Sequence, residues 1–153
     1  MASPTPAAQL KGFLAKYTPA MNARMKAAHG KVRKLVPGAV EMVYDNWNGL
    51  VIGFSPSERP SDAVLSIVAL PDHVTLCFLN GKKLPDPAKL LKGSGSRVRH
   101  RKLADISELD SKPIRTLIAH AIDRADPPFD PGVRNTLVIR AISPKQRPRR
   151  PAR

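Results

Sequence analysis

The chain opens with two helical patterns of apolar and polar positions. Thr5-Pro6 and Thr18-Pro19 each place a capping hydroxyl directly before a proline at the first helical position. Apolar side chains then recur every three or four residues, which predicts a short helix followed by a longer amphipathic helix that stops at Pro37. Lysine and arginine occupy many of the remaining positions, so we expect both helices to present a basic outer surface.

The middle of the chain changes to the two-residue period of β-strands. Alternating positions predict strands over residues 40–45 and 50–54, joined by the turn Asn46-Trp47-Asn48-Gly49. Residues 63–70 and 73–79 are two more apolar runs on either side of a short turn. Consecutive strands joined by short turns are typical of a meander, so we predict an antiparallel sheet.

The last third of the chain mixes loops, a basic strand and a helix. We predict a loop over residues 80–96 that contains one short helix at residues 86–91, followed by a basic strand over residues 97–103. An apolar stripe predicts a helix over residues 111–125, and residues 136–142 have the composition of a late edge strand. This succession of helices, strands and a further helix indicates an α+β fold.

Composition indicates one globular domain with a distinct tail. The chain has 153 residues, of which 42% are apolar, and both values are ordinary for a single domain. We assign residues 1–6 to a flexible N-terminus, residues 7–142 to the domain and residues 143–153 to a disordered basic tail. The tail combines proline and arginine without an apolar face, so we expect it to add charge and not stability.

The cysteine count and the lengths of the apolar runs indicate where the protein resides. No apolar run approaches the roughly 20 residues that a membrane span needs, and the N-terminus lacks the charged-then-apolar order of a signal peptide. The single cysteine, Cys77, excludes an internal disulfide and suits a reducing compartment. We therefore expect a cytoplasmic protein without a membrane partner.

Positive charge is concentrated in three blocks of the chain. The net charge is +14, from 26 lysines and arginines against 12 acids, and the excess lies in residues 1–40, 73–102 and 131–153. Such charge attracts polyanions, including the phosphate backbone of nucleic acid. The alternative is that the charge only keeps the protein soluble.

The sharpest candidate site lies in the second basic block. A glycine-containing turn can aim successive backbone N–H groups at one point and thereby bind an anion. The strand that follows places arginines at alternate positions, so they share one face, which we expect at the surface. The candidate anion-binding residues are Lys92, Gly93, Ser94, Gly95, Arg97, Arg99, His100 and Arg101. The alternative is a flexible turn before a solvated edge strand whose charge blocks aggregation.

Other residue types that often carry chemistry give weaker signals. Trp47 either stacks on the ring of a ligand or packs beneath its hairpin turn. His73 and Cys77 share a strand face, but at roughly 3.3 Å per residue they lie about 13 Å apart, too far for one metal ion. Cys77 sits in mid-strand among apolar residues, so we interpret it as a buried, inert thiol. We predict no catalytic residue, no metal and no cofactor.

Three stretches of the chain carry a family resemblance. They are Leu35-Val36-Pro37-Gly38-Ala39 running to Val43-Tyr44-Asp45; Phe54 to Asp62 with Pro-Ser-Glu-Arg-Pro-Ser inside; and Leu84-Pro85-Asp86-Pro87 through Leu90-Leu91-Lys92-Gly93-Ser94-Gly95 to Arg99-His100. Together they resemble the YdhG-like family, bacterial domains of unknown function with a frataxin-like fold, over residues 8–125. The resemblance implies a two-layer sandwich, in which N-terminal and C-terminal helices cover one face of an antiparallel sheet. It also implies a link to iron, because one bacterial relative is regarded as an iron chaperone.

Two functional hypotheses follow from these observations. The first is a non-enzymatic binding module that holds an anionic ligand or a nucleic-acid backbone through its basic face and tail. The alternative is a frataxin-like accessory protein in iron, iron–sulfur or haem assembly. The frataxin-like resemblance implies an iron site made of a row of carboxylates on the first helix and the neighbouring strand. This chain has no Asp or Glu before Glu41. We therefore do not expect iron as a cofactor.

Overall fold

Three α-helices and a six-stranded mixed sheet are present in residues 4–152, the part of the chain that the computed structural model describes. The helices are α1 (Pro6–Leu14), α2 (Pro19–Leu35) and α3 (Lys112–Asp123). The strands are β1 (Val40–Asp45), β2 (Leu50–Ser55), β3 (Leu65–Ala69), β4 (Val74–Phe78), β5 (Arg99–Leu103) and β6 (Thr136–Ile142). The predicted α+β class is confirmed, while residues 1–3 of the predicted flexible N-terminus and residue 153 lie outside the described residues. Within residues 4–152, no helix has the length and apolar character needed to cross a membrane.

α1 and α2 begin where their sequence signals predict. The Thr5 hydroxyl accepts a hydrogen bond from the Ala8 N–H at 3.1 Å, and the Thr18 hydroxyl accepts one from the Met21 N–H at 3.2 Å. The next residue in each helix is proline, and its missing N–H is tolerated because the first helical turn has no internal acceptor to offer. The buried stripe of α2 consists of Met21, Met25, Ala28 and Val32.

The sheet contains the predicted meander and one strand that runs the other way. The order across the sheet is β5-β4-β3-β2-β1-β6, and β1 to β5 are antiparallel neighbours. β6 pairs in parallel with β1, so the prediction of a wholly antiparallel sheet is wrong. β6 follows α3 and a long connection, and no hairpin turn therefore dictates its direction.

One row of apolar side chains crosses the sheet and anchors the core. Val43, Ile52, Ile67 and Leu76 are paired in turn across β1 to β4, and all are fully buried. They belong to the core cluster that also contains the buried stripes of α2 and α3. The next residue in the row, on β5, is Arg101. A charged side chain of the edge strand therefore lies on the core-facing side of the sheet.

A turn replaces the helix predicted at residues 86–91. The Asp86 carboxylate accepts hydrogen bonds from the N–H groups of Leu90 at 2.9 Å and Leu91 at 2.8 Å. Lys89 has a φ of 54°, which the right-handed helix excludes. Because the aspartate side chain competes with helical hydrogen bonding, it fixes a turn at this point.

The C-terminal tail lies against the domain over residues 143–150, whereas its composition predicts a disordered segment. The Ser143 N–H donates to the Asp45 carbonyl at 2.9 Å. The Arg149 side chain is 3% exposed and its guanidinium pairs with the buried Asp45 carboxylate. The composition of the tail predicts disorder because it contains many charged residues and few apolar ones. It does not reveal that the buried Asp45 carboxylate neutralises one of these charges.

Candidate anion-binding site

The predicted basic strand begins at Arg99, and its arginines face the interior side of the sheet edge. Arg99 and Arg101 lie opposite Phe78 and Leu76 of β4, whose side chains belong to the core. The alternation predicted for the arginines is present within β5. However, both side chains are partly buried and not free at the surface, because their shared face is the one that packs on the core.

Arg101 forms an ion pair with Glu108. The Arg101 Nε donates to the Glu108 carboxylate at 2.8 Å. Burial raises the pKa of Glu108, but the hydrogen bonds from Arg101 and from two backbone N–H groups outweigh burial, so the pKa lies below its ordinary value. Arg101 is therefore used to hold the segment that leads into α3.

The glycine turn before β5 offers carbonyl oxygens to a cation. Arg99 Nη1 donates to the Gly95 carbonyl at 2.6 Å and to the Val98 carbonyl at 2.8 Å. An anion nest requires the opposite polarity, with several backbone N–H groups pointing at one place. Arg99 and Gly95 are thus brought together as predicted, but they bind each other.

The other candidate residues of this turn lie at its base and at its tip. Lys92 and His100 exchange two backbone hydrogen bonds, at 2.8 and 2.9 Å. Gly93 adopts a φ of 131°, a conformation that other residues rarely adopt. Ser94 is exposed at the tip, and the side chains of Lys92 and His100 are exposed as well. The turn is therefore a well-defined loop whose lysine and histidine face solvent.

Arg97 belongs to a different feature, a cleft of about 400 Å³ beside the end of α3. Two further cations line it: Lys83, in the 3-10 turn that follows β4, and Arg124, directly after α3. Its lining also includes the partly exposed apolar side chains of Ala63, Val64 and Leu84. We refer to this feature as the basic cleft. Sequence analysis identified Arg97 but missed Lys83 and Arg124, because nothing local shows that the fold brings the three together.

Hydrogen bonds to neighbouring segments orient the two arginines of the basic cleft. Arg97 Nε donates to the Asn80 side-chain oxygen at 2.9 Å, and Arg124 Nη1 donates to the Lys83 carbonyl at 2.7 Å. A guanidinium group carries five N–H donors, so each arginine retains donors for a ligand. The Lys83 side chain is exposed, and its ammonium makes no hydrogen bond or ion pair with the residues that the structure describes.

Two carboxylates share the basic cleft with the three cations. Asp62 accepts a hydrogen bond from the Ser57 hydroxyl at 2.6 Å, which uses part of its acceptor capacity. Asp126 is exposed close to the end of α3. Three cations against two carboxylates leave the lining with one net positive charge. This balance suits an anionic group on a molecule that also carries hydroxyl or N–H donors.

A fully buried carboxylate on β1, Glu41, is a feature that sequence analysis missed. Glu41 accepts hydrogen bonds from His29 at 2.7 Å and from Arg33 at 2.6 and 2.8 Å. Burial raises the pKa of Glu41, but the hydrogen bonds from Arg33, His29 and Asn135 outweigh burial and lower it to about 2. The available signal is its position two residues before Val43 in the same strand, which places both on one face.

Asp45, on the same face of β1, is also paired with cations. Lys16 Nζ lies 2.5 Å from one carboxylate oxygen and Arg149 Nη2 lies 2.9 Å from the other. Burial raises the pKa of Asp45, but hydrogen bonds from Lys16, Gln146 and Arg149 outweigh it, and the pKa is lowered. Within residues 4–152, no group of three or more His, Cys, Asp or Glu side chains is arranged to hold a metal ion.

Trp47 and Cys77 lie away from the basic cleft. The Trp47 side chain is 51% exposed, so it does not pack beneath the hairpin turn. Its carbonyl accepts a hydrogen bond from the Arg147 N–H at 2.9 Å, which makes the turn a contact for the tail. Cys77 is half-buried, and burial raises the pKa of its thiol, so the thiol stays protonated at neutral pH.

Comparisons with protein families, with curated proteins and with solved structures find no match for this chain. The YdhG-like resemblance therefore stays a prediction.

Proposed function

We propose that this chain is a non-enzymatic binding module for an anionic ligand, and that the basic cleft is its binding site. The observation that carries the proposal is the convergence of Lys83, Arg97 and Arg124 on one cleft that is also lined by apolar side chains. The three residues come from three separate segments of the chain. The tertiary fold, and not local composition, therefore creates the positive site.

The basic cleft fits a small anion with an apolar or aromatic body. Guanidinium groups bind phosphate and carboxylate through paired N–H donors, and lysine adds a mobile positive charge. Ala63, Val64 and Leu84, which are partly exposed, provide an apolar surface for the body of the ligand. The volume of about 400 Å³ falls within the roughly 300–1,000 Å³ of typical small-molecule sites. Phosphorylated metabolites and nucleotides combine these features.

A nucleic-acid backbone is the larger ligand that the same cations suit. Three exposed lysines lie near β5: Lys102 in the strand, Lys92 hydrogen-bonded to it, and Lys82 hydrogen-bonded to Arg97 just before it. Lysines of this kind contact phosphates without reading base sequence. A phosphate group is the shared chemistry of both ligand classes, and affinity for a short oligonucleotide relative to pyrophosphate separates them.

We also propose the YdhG-like arrangement, in which the helices cover one face of the sheet. Supporting observations are the helix–meander–helix order and a core that joins α2 and α3 to alternate positions of β1 to β4. The single cysteine supports a cytoplasmic location. The iron hypothesis gains nothing from β1, because Glu41 and Asp45 are both paired with cations.

The test compares two double variants with the same loss of charge. Arg97→Ala with Arg124→Ala removes the oriented cations of the basic cleft. Lys26→Ala with Arg115→Ala removes two exposed cations from α2 and α3. Pyrophosphate, adenosine monophosphate and a single-stranded dodecanucleotide are titrated into each protein by calorimetry. We expect the cleft variant to lose at least about tenfold in affinity for the phosphate probe that binds wild type best.

The control variant should bind that probe nearly as well as wild type does. Equal losses in the two variants would show that net charge alone attracts the anions. Absence of measurable binding of all three probes to wild type at low salt would reject the anion-binding function.

A further inference from the structure

The C-terminal segment, residues 143–150, lies along the β1–β2 turn as a bound peptide. The Ser143 N–H donates to the Asp45 carbonyl and the Arg147 N–H donates to the Trp47 carbonyl, both at 2.9 Å. The Gln146 side chain donates to the Asp45 carbonyl at 3.0 Å. The segment is thus held partly through its main chain, as extended peptides are in recognition grooves.

Arg149 fills a notch next to this turn. Its Nη2 donates to the Asp45 carboxylate at 2.9 Å and also to the Asn46 carbonyl, while its Nη1 donates to the Trp47 carbonyl at 3.2 Å. The guanidinium carbon lies 6.0 Å from the centre of the Tyr17 ring, within reach of a cation–π contact. We call this feature the arginine notch; its walls are Tyr17, Asp45 and the carbonyls of Asn46 and Trp47.

The domain itself holds the walls of the arginine notch in place. The Tyr17 hydroxyl donates to the Ala69 carbonyl at 2.7 Å and accepts from the Leu50 N–H at 3.0 Å. Neither Tyr17 contact involves the tail. Lys16 Nζ bonds the second oxygen of Asp45 at 2.5 Å and also the Gln146 side chain of the tail at 2.6 Å. The Tyr17 wall of the notch is therefore held by the domain alone, which reduces the entropic cost of binding a ligand.

The acceptors of the arginine notch select a guanidinium group. One carboxylate and two carbonyls match the planar fork of arginine, whereas lysine offers a single point charge. The Nε of Arg149 is buried without a hydrogen-bond partner among the described residues. A buried donor without a partner weakens docking. A peptide that docks its own arginine in the notch and also supplies an acceptor for the Nε–H of that arginine therefore binds the notch better than the tail does.

We propose that the arginine notch is a recognition site for an arginine in an extended peptide of a partner protein, and that the chain's own tail occupies it as a mask. Pro148 and Pro151 flank the docked arginine region and favour an extended backbone. The tail of a second copy would make the same contacts but lacks the high local concentration of the attached tail. A second copy therefore does not displace the attached tail from the notch. The proposal is independent of the basic cleft, which shares no residue with the notch.

The test empties the arginine notch and offers it a free peptide. Arg149→Ala removes the docked side chain, and Arg147→Ala is the matched control because it removes an exposed arginine of the same tail. A fluorescein-labelled synthetic peptide of residues 143–153 is titrated into both variants and wild type, with fluorescence anisotropy as the readout. We expect the peptide to bind Arg149→Ala at least about tenfold more tightly than it binds wild type or the control.

A second peptide, carrying Arg149→Lys, distinguishes recognition from charge attraction. It should bind the Arg149→Ala protein at least about tenfold more weakly than the arginine peptide. Equal binding of both peptides, or equal binding to wild type and variant, overturns the proposal. If circular dichroism shows that Arg149→Ala is unfolded, a chain truncated after Gln146 replaces it. If that chain is unfolded too, the tail is part of the core and the mask does not exist.

Discussion

Glu41→Gln removes one negative charge from the buried network that joins α2 to β1. The pKa of Glu41 is about 2 in the folded protein, against an ordinary value of 4.5. One pKa unit corresponds to about 1.4 kcal/mol, so this lowering represents about 3 kcal/mol of stability. Glutamine keeps the shape of the side chain but not its charge. We therefore expect the variant to lose about 3 kcal/mol of unfolding free energy at neutral pH.

The pH dependence fixes the sign of this effect. Because folding lowers the pKa of Glu41, the unfolded chain binds more protons than the folded chain between pH 4.5 and about 2. The contribution of Glu41 is complete above this window and is lost as the pH falls through it. The variant has no group to titrate at this position. The difference in stability between wild type and variant should therefore shrink as the solution is acidified.

Urea unfolding followed by far-ultraviolet circular dichroism measures this difference from neutral pH down to about pH 2. Glu58→Gln is the matched control, because Glu58 is an exposed carboxylate in the loop after β2. It should change stability little at any pH. A Glu41→Gln difference that stays constant across the acid range, or that is no larger than the control, would refute the linkage argument.

Four further predictions concern the tail, two glycines and the cysteine. Arg149→Ala deprives the buried Asp45 carboxylate of one cation, so urea unfolding should show a loss of about 3 kcal/mol, and an unchanged midpoint would mean that the tail does not dock. Gly38→Ala should lower the melting temperature, because Gly38 has a φ of 82° and an added Cβ would meet the Asp130 carbonyl. Gly30→Ala, in open space within α2, should raise it, and a fall would contradict the helix-propensity argument. Cys77 should react with a disulfide reagent more slowly at neutral pH than a small thiol does, and rapid reaction would contradict its raised pKa.

The elements that sequence analysis predicted correctly are those with local causes. The hydroxyls of Thr5 and Thr18 cap helices that begin at the next residue, by accepting from N–H groups three residues along the chain. Alternation within each strand depends only on the pleat. The prediction of a helix at residues 86–91 was wrong for a local reason as well. The Asp86 side chain, and not a backbone carbonyl, accepts the hydrogen bonds from the N–H groups of Leu90 and Leu91. Local signals therefore explain most of the secondary structure and one of its errors.

The tertiary features that the sequence did not predict depend on contacts between residues that are distant in the chain. The tail has the composition of a disordered segment, yet Arg149 pairs with the Asp45 carboxylate, which lies 104 residues earlier in the chain. The direction of β6 is equally invisible locally, because it depends on pairing with β1. For the candidate site, alternation placed Arg99 and Arg101 on one face but did not show that this face packs on the core. Only the fold shows which arginines remain available to a ligand.

The most direct test of the anion-binding proposal is a map of where pyrophosphate binds. Backbone amide resonances of the isotopically labelled protein are followed by nuclear magnetic resonance during a titration at low salt. The proposal predicts saturable shifts concentrated around Lys83, Arg97 and Arg124. Shifts that are largest in residues 143–152, or that spread evenly over all three basic blocks, would contradict a site at the basic cleft.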